Sequence, residues 1–189
     1  MICNKQELKE YLMQDALANG RNDIRPKLFG DKIWKSIVCL RKHEYYLSFS
    51  KTKSKLYFLL ILFNKIQRSH YFDKCGYNLP PNVFGKGLSI AHTETIVVNH
   101  RALVGNNCRI HEGVTIGATN GSSEAPRIGN NVFIASGAKI IGNIDIADDV
   151  CIGANAVVVK SIIEPGTTWG GVPAKKISNN NSHSNLSGL

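Results

Sequence analysis

The chain has 189 residues, with 23 Lys and Arg against 14 Asp and Glu and a formal net charge of +9. That length supplies one ordinary domain, or one domain with a helical appendage, and buries enough apolar surface to need no disulfide or metal for stability. Residues 1–80 carry 15 basic against seven acidic side chains, and residues 81–189 eight against seven, so the excess sits on the N-terminal part. It would attract nucleic acid, anionic lipid or an anionic polymer, but no aromatic-interleaved RNA motif or recognition helix accompanies it, which argues against nucleic acid.

In chain order, three helices are expected first. Lys5–Ala18 spaces Leu8, Leu12 and Ala16 by four, and Asn19-Gly20 stops it. Asp31–Phe49 is the second, with Asp31 as N-cap. Lys55–His70 is the third. It contains the longest apolar run, Leu56–Phe63, which is far short of the roughly 20 residues that span a bilayer. A buried helix face is the expected role of this run. Peripheral membrane contact is a second reading, because Lys51, Lys53, Lys55, Lys65 and Arg68 flank it. No transmembrane segment and no signal peptide are read, since the start, MICNKQ, is polar. Five cysteines, odd in number and without a CxxC pair, suit a reducing cytoplasm rather than a disulfide framework. A boundary falls at Gly76-Tyr-Asn-Leu-Pro-Pro81, so residues 1–75 read as a helical domain. The polar end, residues 179–189, reads as a disordered tail.

Beyond about residue 82 the texture changes. Aliphatic residues recur every six positions at Val104, Ile110, Ile116, Ile128, Ile134, Ile140, Ile146, Ile152 and Val158. A small residue often follows: Gly105, Gly117, Gly129, Ala135, Ala147, Gly153. A period of six belongs neither to a helix nor to a plain strand but to a solenoid. Each hexapeptide would give one short strand with its aliphatic residue inward, the small residue would let the chain turn a corner, and three hexapeptides would close a triangular coil. Ile90 and Ile96 sit two residues off this phase. Either His92 takes an inward slot, or the register shifts beside it.

Residues 76–178, with "GKGLSIAHTETIVVN", "GVTIGAT", "IGNNVFIASGAKIIGNIDIADDVCIGANAVVVKS" and "GGVPAKKIS", resemble the hexapeptide-repeat acyltransferases, and most closely the serine acetyltransferase branch. The resemblance implies an α+β protein in which the helical region precedes a left-handed parallel β-helix. It also implies an acetyl-CoA-dependent O-acetyltransferase in which His92 is the general base. A neutral imidazole would take the proton of an attacking hydroxyl, with no metal required. Coenzyme binding would fall to Gly117, Ala118, Ala135, Ser136, Gly137, Gly153 and Ala154, with Lys160, Lys175 and Lys176 for its phosphates. The family's groove lies between subunits, which implies a homotrimer, and its helical part pairs trimers, so a dimer of trimers stays open.

The chain departs from the family's serine-specific pattern. Ala91 stands where an Asp precedes the base, and Asn78 is the nearest match to the Asp that orients the ring, so Glu94 or Glu112 would supply the missing charge. An Arg-His pair that holds the amino acid's carboxylate reads Glu124-Ala125 here. That exchange favours a sugar hydroxyl of a capsular or lipopolysaccharide saccharide as acceptor, with L-serine the alternative and a non-catalytic assembly subunit a third reading. His100, His111, Glu112 and Glu124 would line the acceptor cleft. A three-histidine zinc site like that of the β-helical carbonic anhydrases lacks the spacing it needs. His43, His70 and His183 read as ordinary surface residues.

Overall fold

Three helices open the chain: α1 (Lys5–Ala18), α2 (Lys32–Leu47) and α3 (Lys55–Cys75). The structure, a computed structural model, describes residues 2–50, 55–119 and 121–186. Helix α1 starts at a reciprocal cap: Asn4 Oδ1 accepts the Glu7 N–H at 2.8 Å, and the Glu7 carboxylate accepts the Cys3 N–H at 2.7 Å. Helix α2 does start after Asp31, but not by the expected side-chain cap. Asp31 lies in the left-handed region at φ 61°, and its carboxylate takes the Arg21 guanidinium at 2.8 Å and the Lys27 N–H at 2.9 Å. Helix α3 runs past His70 to Cys75.

The apolar run of α3 is not the buried face expected of it. Leu56, Phe58, Leu59, Leu62, Phe63 and Ile66 are exposed, while Asn64, Phe72 and Cys75 face inward. Helix α3 packs on α2 along one face, and its apolar residues continue around a side that no other described part of the chain covers. Lys51 and Lys53, of the expected basic flank, lie outside the described residues. No helix among the described residues is long and apolar enough to cross a membrane. His43, expected at the surface, is buried in α2, and burial beside Arg68 and Lys65 pushes its imidazole down to about 4.

A buried ion-pair network joins the helices to the rest. Arg41 is fully buried. Its guanidinium donates to Asp15 at 2.7 and 3.2 Å, to Glu44 at 3.0 Å, and to the carbonyls of Phe84 and Gly85 at 2.9 and 2.6 Å. Asp15 also accepts the N–H groups of Gly87 and Leu88, both at 2.8 Å. The charge is thus matched on every side, which is the condition for burying it.

Fourteen short strands follow. They are β1 (Tyr77–Asn78), β2 (Ser89–Ile90), β3 (Ile96–Val98), β4 (Leu103–Val104), β5 (Arg109–Ile110), β6 (Thr115–Gly117) and β7 (Arg127–Ile128), then β8 (Phe133–Ile134), β9 (Lys139–Ile141), β10 (Asp145–Ile146), β11 (Cys151–Ile152), β12 (Val157–Val158), β13 (Thr168–Gly170) and β14 (Lys175–Ser178). They form three sheets, ordered β1-β3-β6-β9-β12, β4-β7-β10 and β2-β5-β8-β11-β13-β14. All pairings are parallel except β13 with β14, which closes the stack antiparallel. This is a three-sided parallel β-helix. All nine phased aliphatics are at most 5% exposed, so the six-residue period marks the inward positions as expected.

The register explains both breaks in the phase. Ile128 pairs with Ile146, Ile134 with Ile152 and Ile140 with Val158, each 18 residues on. One coil earlier, Val104 pairs with Ile128, Ile110 with Ile134 and Ile116 with Ile140, each 24 residues on. The surplus is the loop between β6 and β7. At the start of the coil, Ile90 pairs with Ile110, 20 residues on, whereas Val98 pairs with Ile116, 18 on. Two extra residues therefore fall between Ile90 and Val98, at the turn that carries His92. Ile90, not His92, fills the inward slot.

The corners turn two positions later than the small residues suggest. Left-handed φ values occur three positions after the aliphatic, at Asn107, Gly113, Asn131, Gly137, Asp149 and Asn155, where Asn, Asp and Gly tolerate them. The small residue directly after the aliphatic serves close stacking instead: a Cβ on Gly105 would lie 2.6 Å from the Gly129 carbonyl oxygen. A side-chain ladder reinforces one corner, with Asn107 donating to Asn131 and Asn131 to Asp149, both at 2.9 Å. The end of the chain continues it. His183 Nε2 lies 2.8 Å from Asp149 Oδ1, and the buried Ser182 hydroxyl donates to the Asn131 carbonyl. Ser182 and His183 of the polar end are thus laid on the coil.

Asp15→Ala leaves the buried Arg41 charge without its bidentate partner. We expect a loss of about 3–5 kcal/mol in urea unfolding. A loss below 1 kcal/mol would show that Glu44 and the two carbonyls alone satisfy the guanidinium.

Candidate active site

The lengthened turn projects His92 into solvent at the corner between the third and the first sheet. Tyr77 fixes its main chain: the Tyr77 hydroxyl donates to the His92 carbonyl at 2.8 Å. Glu94 sits in the same turn, with its N–H bonded to the Cys75 carbonyl at 2.9 Å. Each successive coil brings the same corner above the last. Ala91 N–H bonds Ile110 O, His111 N–H bonds Ile134 O, and Ala135 N–H bonds Ile152 O. On the far side of the corner, Gly113 N–H bonds Thr95 O, Gly137 N–H bonds Glu112 O, and Asn155 N–H bonds Ser136 O. His92, His111-Glu112, Ala135-Ser136-Gly137 and Gly153-Ala154 thus form one column.

Within this column the side chains meet. The His92 and His111 rings stand edge to face with centroids 5.6 Å apart, and His111 packs in the same way on Phe133 at 5.1 Å. Ser136 Oγ lies 3.4 Å from His111 Nδ1. A hydrogen bond from the Ser136 hydroxyl and one from its own backbone hold the Glu112 carboxyl below the usual carboxylate range. His111 thus meets Ser136 through Nδ1. Burial, followed by the nearby Arg109, holds its imidazole below the ordinary value and hence neutral. His111 Nε2 and Glu112 Oε2 are both buried without a hydrogen-bond partner among the described residues. A cavity of about 470 Å³ opens here, lined by Ile33, Ala91, His92, Thr93, Glu94 and Glu112. The arrangement offers a solvent-facing imidazole and two carboxylates, a setting that can take a proton and attract a cation.

The other expected site residues divide. Gly117 ends β6 and Ala118 follows it, His100 follows β3 and Lys160 follows β12, which places them along the next corner, between the first and second sheets. Lys160, Lys175 and Lys176 are brought together in a cavity of about 320 Å³ with Trp169, Pro173 and Ala174. Lys176 Nζ is paired there with Glu164 at 2.5 Å. The three cations over an apolar floor fit the phosphates and ring of a nucleotide-bearing thioester. Asn78 is not brought to His92. It is exposed on β1 opposite Val97, outside the cavity wall. His100 is likewise absent from that wall. Glu124 is exposed, and its carboxylate turns to Arg127 at 3.4 Å. Sequence reasoning missed Tyr77, whose only signal is an aromatic residue at the boundary, and the turning of Ser136 toward His111 and Glu112.

Comparison with known proteins bears on what such a site does. The bacterial transferase hexapeptide (six repeats) family matches residues 125–160. A serine acetyltransferase from Staphylococcus xylosus is 34% identical over 170 residues, covering 88% of this chain and 73% of that protein. The crystal structure of serine acetyltransferase from Brucella abortus strain S19 superposes with a TM-score of 0.74 at 28% identity, covering 94% of this chain and 72% of that one. The same Brucella abortus protein in complex with coenzyme A gives a TM-score of 0.69 at 28% identity, covering 94% and 70%. These relatives overturn the sugar acceptor inferred from Glu124-Ala125. The reading as a non-catalytic assembly subunit falls with it. The three-sided coil, the histidine on its lengthened turn and these likenesses agree: the chain belongs to the serine acetyltransferase branch of the hexapeptide-repeat acyltransferases.

Proposed function

We propose that this protein transfers the acetyl group of acetyl-CoA to the hydroxyl of L-serine, with His92 as general base. The observation that carries the reading is the placement of His92 on the one turn where the coil gains two residues, in a chain 34% identical to a serine acetyltransferase. A serine hydroxyl is a poor nucleophile near neutral pH. The His92 imidazole takes its proton as the oxygen attacks the thioester carbonyl. Glu94 and Glu112 replace the family's aspartate as the source of negative charge beside the ring, so the imidazolium formed is stabilised where Ala91 and Asn78 give no help. His111 Nε2 and Glu112 Oε2, two acceptors without partners, receive N–H donors of the substrate's ammonium. Backbone N–H groups of the corner meet the charge that develops on the thioester oxygen, and the imidazolium returns its proton to the departing thiolate.

The coenzyme runs along the small residues of the corners, Gly117-Ala118, Ala135–Gly137 and Gly153-Ala154, toward Lys160, Lys175 and Lys176. Because these residues lie on two different corners of one coil, the complete site forms where the His92 column of one protomer faces the neighbouring corner of the next. A left-handed homotrimer meets that requirement. The exposed apolar face of α3 then pairs two trimers. The cytoplasm suits acetyl-CoA and the buried thiols of Cys39, Cys75, Cys108 and Cys151.

His92→Ala removes the base from an exposed turn without touching the core. We expect kcat with L-serine to fall about 10²–10⁴-fold with the assembly intact. Undiminished kcat would sink the base assignment. Leu62→Asp combined with Phe63→Asp places two charges on the α3 face. Light scattering is expected to read one trimer in the variant and two in the parent protein. An identical mass for both proteins would show that this face does not pair them.

A further inference from the structure

The column beneath His92 has a chemical property beyond proton transfer. One imidazole nitrogen from each of His92 and His111 and one carboxylate oxygen of Glu112 lie within 4.8 Å of one another. Two of the groups offer atoms that nothing among the described residues uses, since His111 Nε2 and Glu112 Oε2 are buried and without hydrogen-bond partners there. Leaving buried acceptors unpaired carries a desolvation cost, so each such group calls for an explanation. The supports around them are those of a ligand set. Ser136 Oγ contacts His111 Nδ1 at 3.4 Å and leaves Nε2 as the ring nitrogen with no partner among the described residues, the placement that outer partners give metal-bound histidines. His92 is exposed and can rotate to close the set. The spacing in the sequence disfavours a three-histidine site, but the stacking of coils builds a different donor set from two histidines and one carboxylate.

We infer that His92, His111 and Glu112 bind a borderline divalent cation of the Zn²⁺ or Co²⁺ type, which occupies the lone pair of His92 and thereby inhibits the enzyme. Two imidazoles and one carboxylate suit such ions. They do not suit Mg²⁺ or Ca²⁺, which require oxygen ligands. Three protein ligands leave a fourth position for water. Binding stands on the donor set alone, while inhibition rests on His92 acting as the base.

The test uses the full chain purified without a histidine tag. Co²⁺ is followed by its visible ligand-field absorption, Zn²⁺ by calorimetry, and Mg²⁺ serves as the hard-cation comparison. Co²⁺ and Zn²⁺ are expected to bind in competition, one per protomer, and Mg²⁺ to give no signal. His111→Ala and Glu112→Gln should each weaken Zn²⁺ at least about tenfold. His183→Ala, which removes the imidazole paired with Asp149 on another corner, should leave binding unchanged. Zn²⁺ should also raise the melting temperature of the parent protein, a readout that does not depend on any variant folding. Absence of Zn²⁺ binding to the parent protein overturns the inference, as does binding that survives both substitutions or disappears with His183→Ala. Zn²⁺ bound at this set with undiminished turnover would keep the site, reject inhibition and count against His92 as base.

Discussion

The inward stacking of one aliphatic side chain per hexapeptide is the constraint on which everything else in this protein depends. Ile110, Ile134 and Ile152 lie over one another, as do Ile116 and Ile140, and each is fully buried. No single coil can bury its own apolar face. Burial comes only from the neighbour above or below, at roughly 25 cal/mol per Å² of apolar surface removed from water. The stack therefore fixes the register, and the register fixes which residues share a corner. Side chains that are 19 to 25 residues apart in sequence, such as His92 with His111 and His111 with Ser136, come into contact because the chain has made one turn.

Departures from the repeat become meaningful against this regularity. An insertion within a strand would flip or break the inward phase, so surplus residues are accommodated at corners. Two surplus residues push His92 out of the stack, and six more make the loop between β6 and β7. Both lie at the edges of the first sheet, one at each of its bounding corners. The regular coil supplies a rigid support, and the proposed chemistry lies at the irregular corner that carries His92. The helical part is held to this support by the Arg41 network rather than by apolar contact alone, and it leaves the outer face of α3 uncovered.

Much of this is legible in the sequence. The six-residue period identifies the coil because inward burial tolerates little besides Ile and Val. The gap between Ile116 and Ile128 can be read as a loop because it keeps the phase. Helix α1 is read with its bounds intact, since its four-residue apolar spacing and its Asn-Gly stop are local signals. What cannot be read depends on contacts between distant residues. Asp15 looks like a surface carboxylate until Arg41 and the Gly87 and Leu88 amides close on it. His43 looks solvated until α3 covers it. Glu124 looks unpaired until Arg127 is seen beside it. The α3 run errs the other way: its apolar composition signals burial, and no described part of the chain provides it.

The acceptor is the point on which these conclusions turn, and its identity is open to direct measurement. Thiol release from acetyl-CoA should be followed with L-serine in one reaction, and with nucleotide sugars and capsular oligosaccharides in parallel ones. Release with L-serine alone is the predicted result. It would mean that the two carboxylates beside His92 select an ammonium-bearing acceptor. Release with a saccharide and none with L-serine would contradict the account. The unpaired acceptors of His111 and Glu112 would then have to serve a different hydroxyl donor.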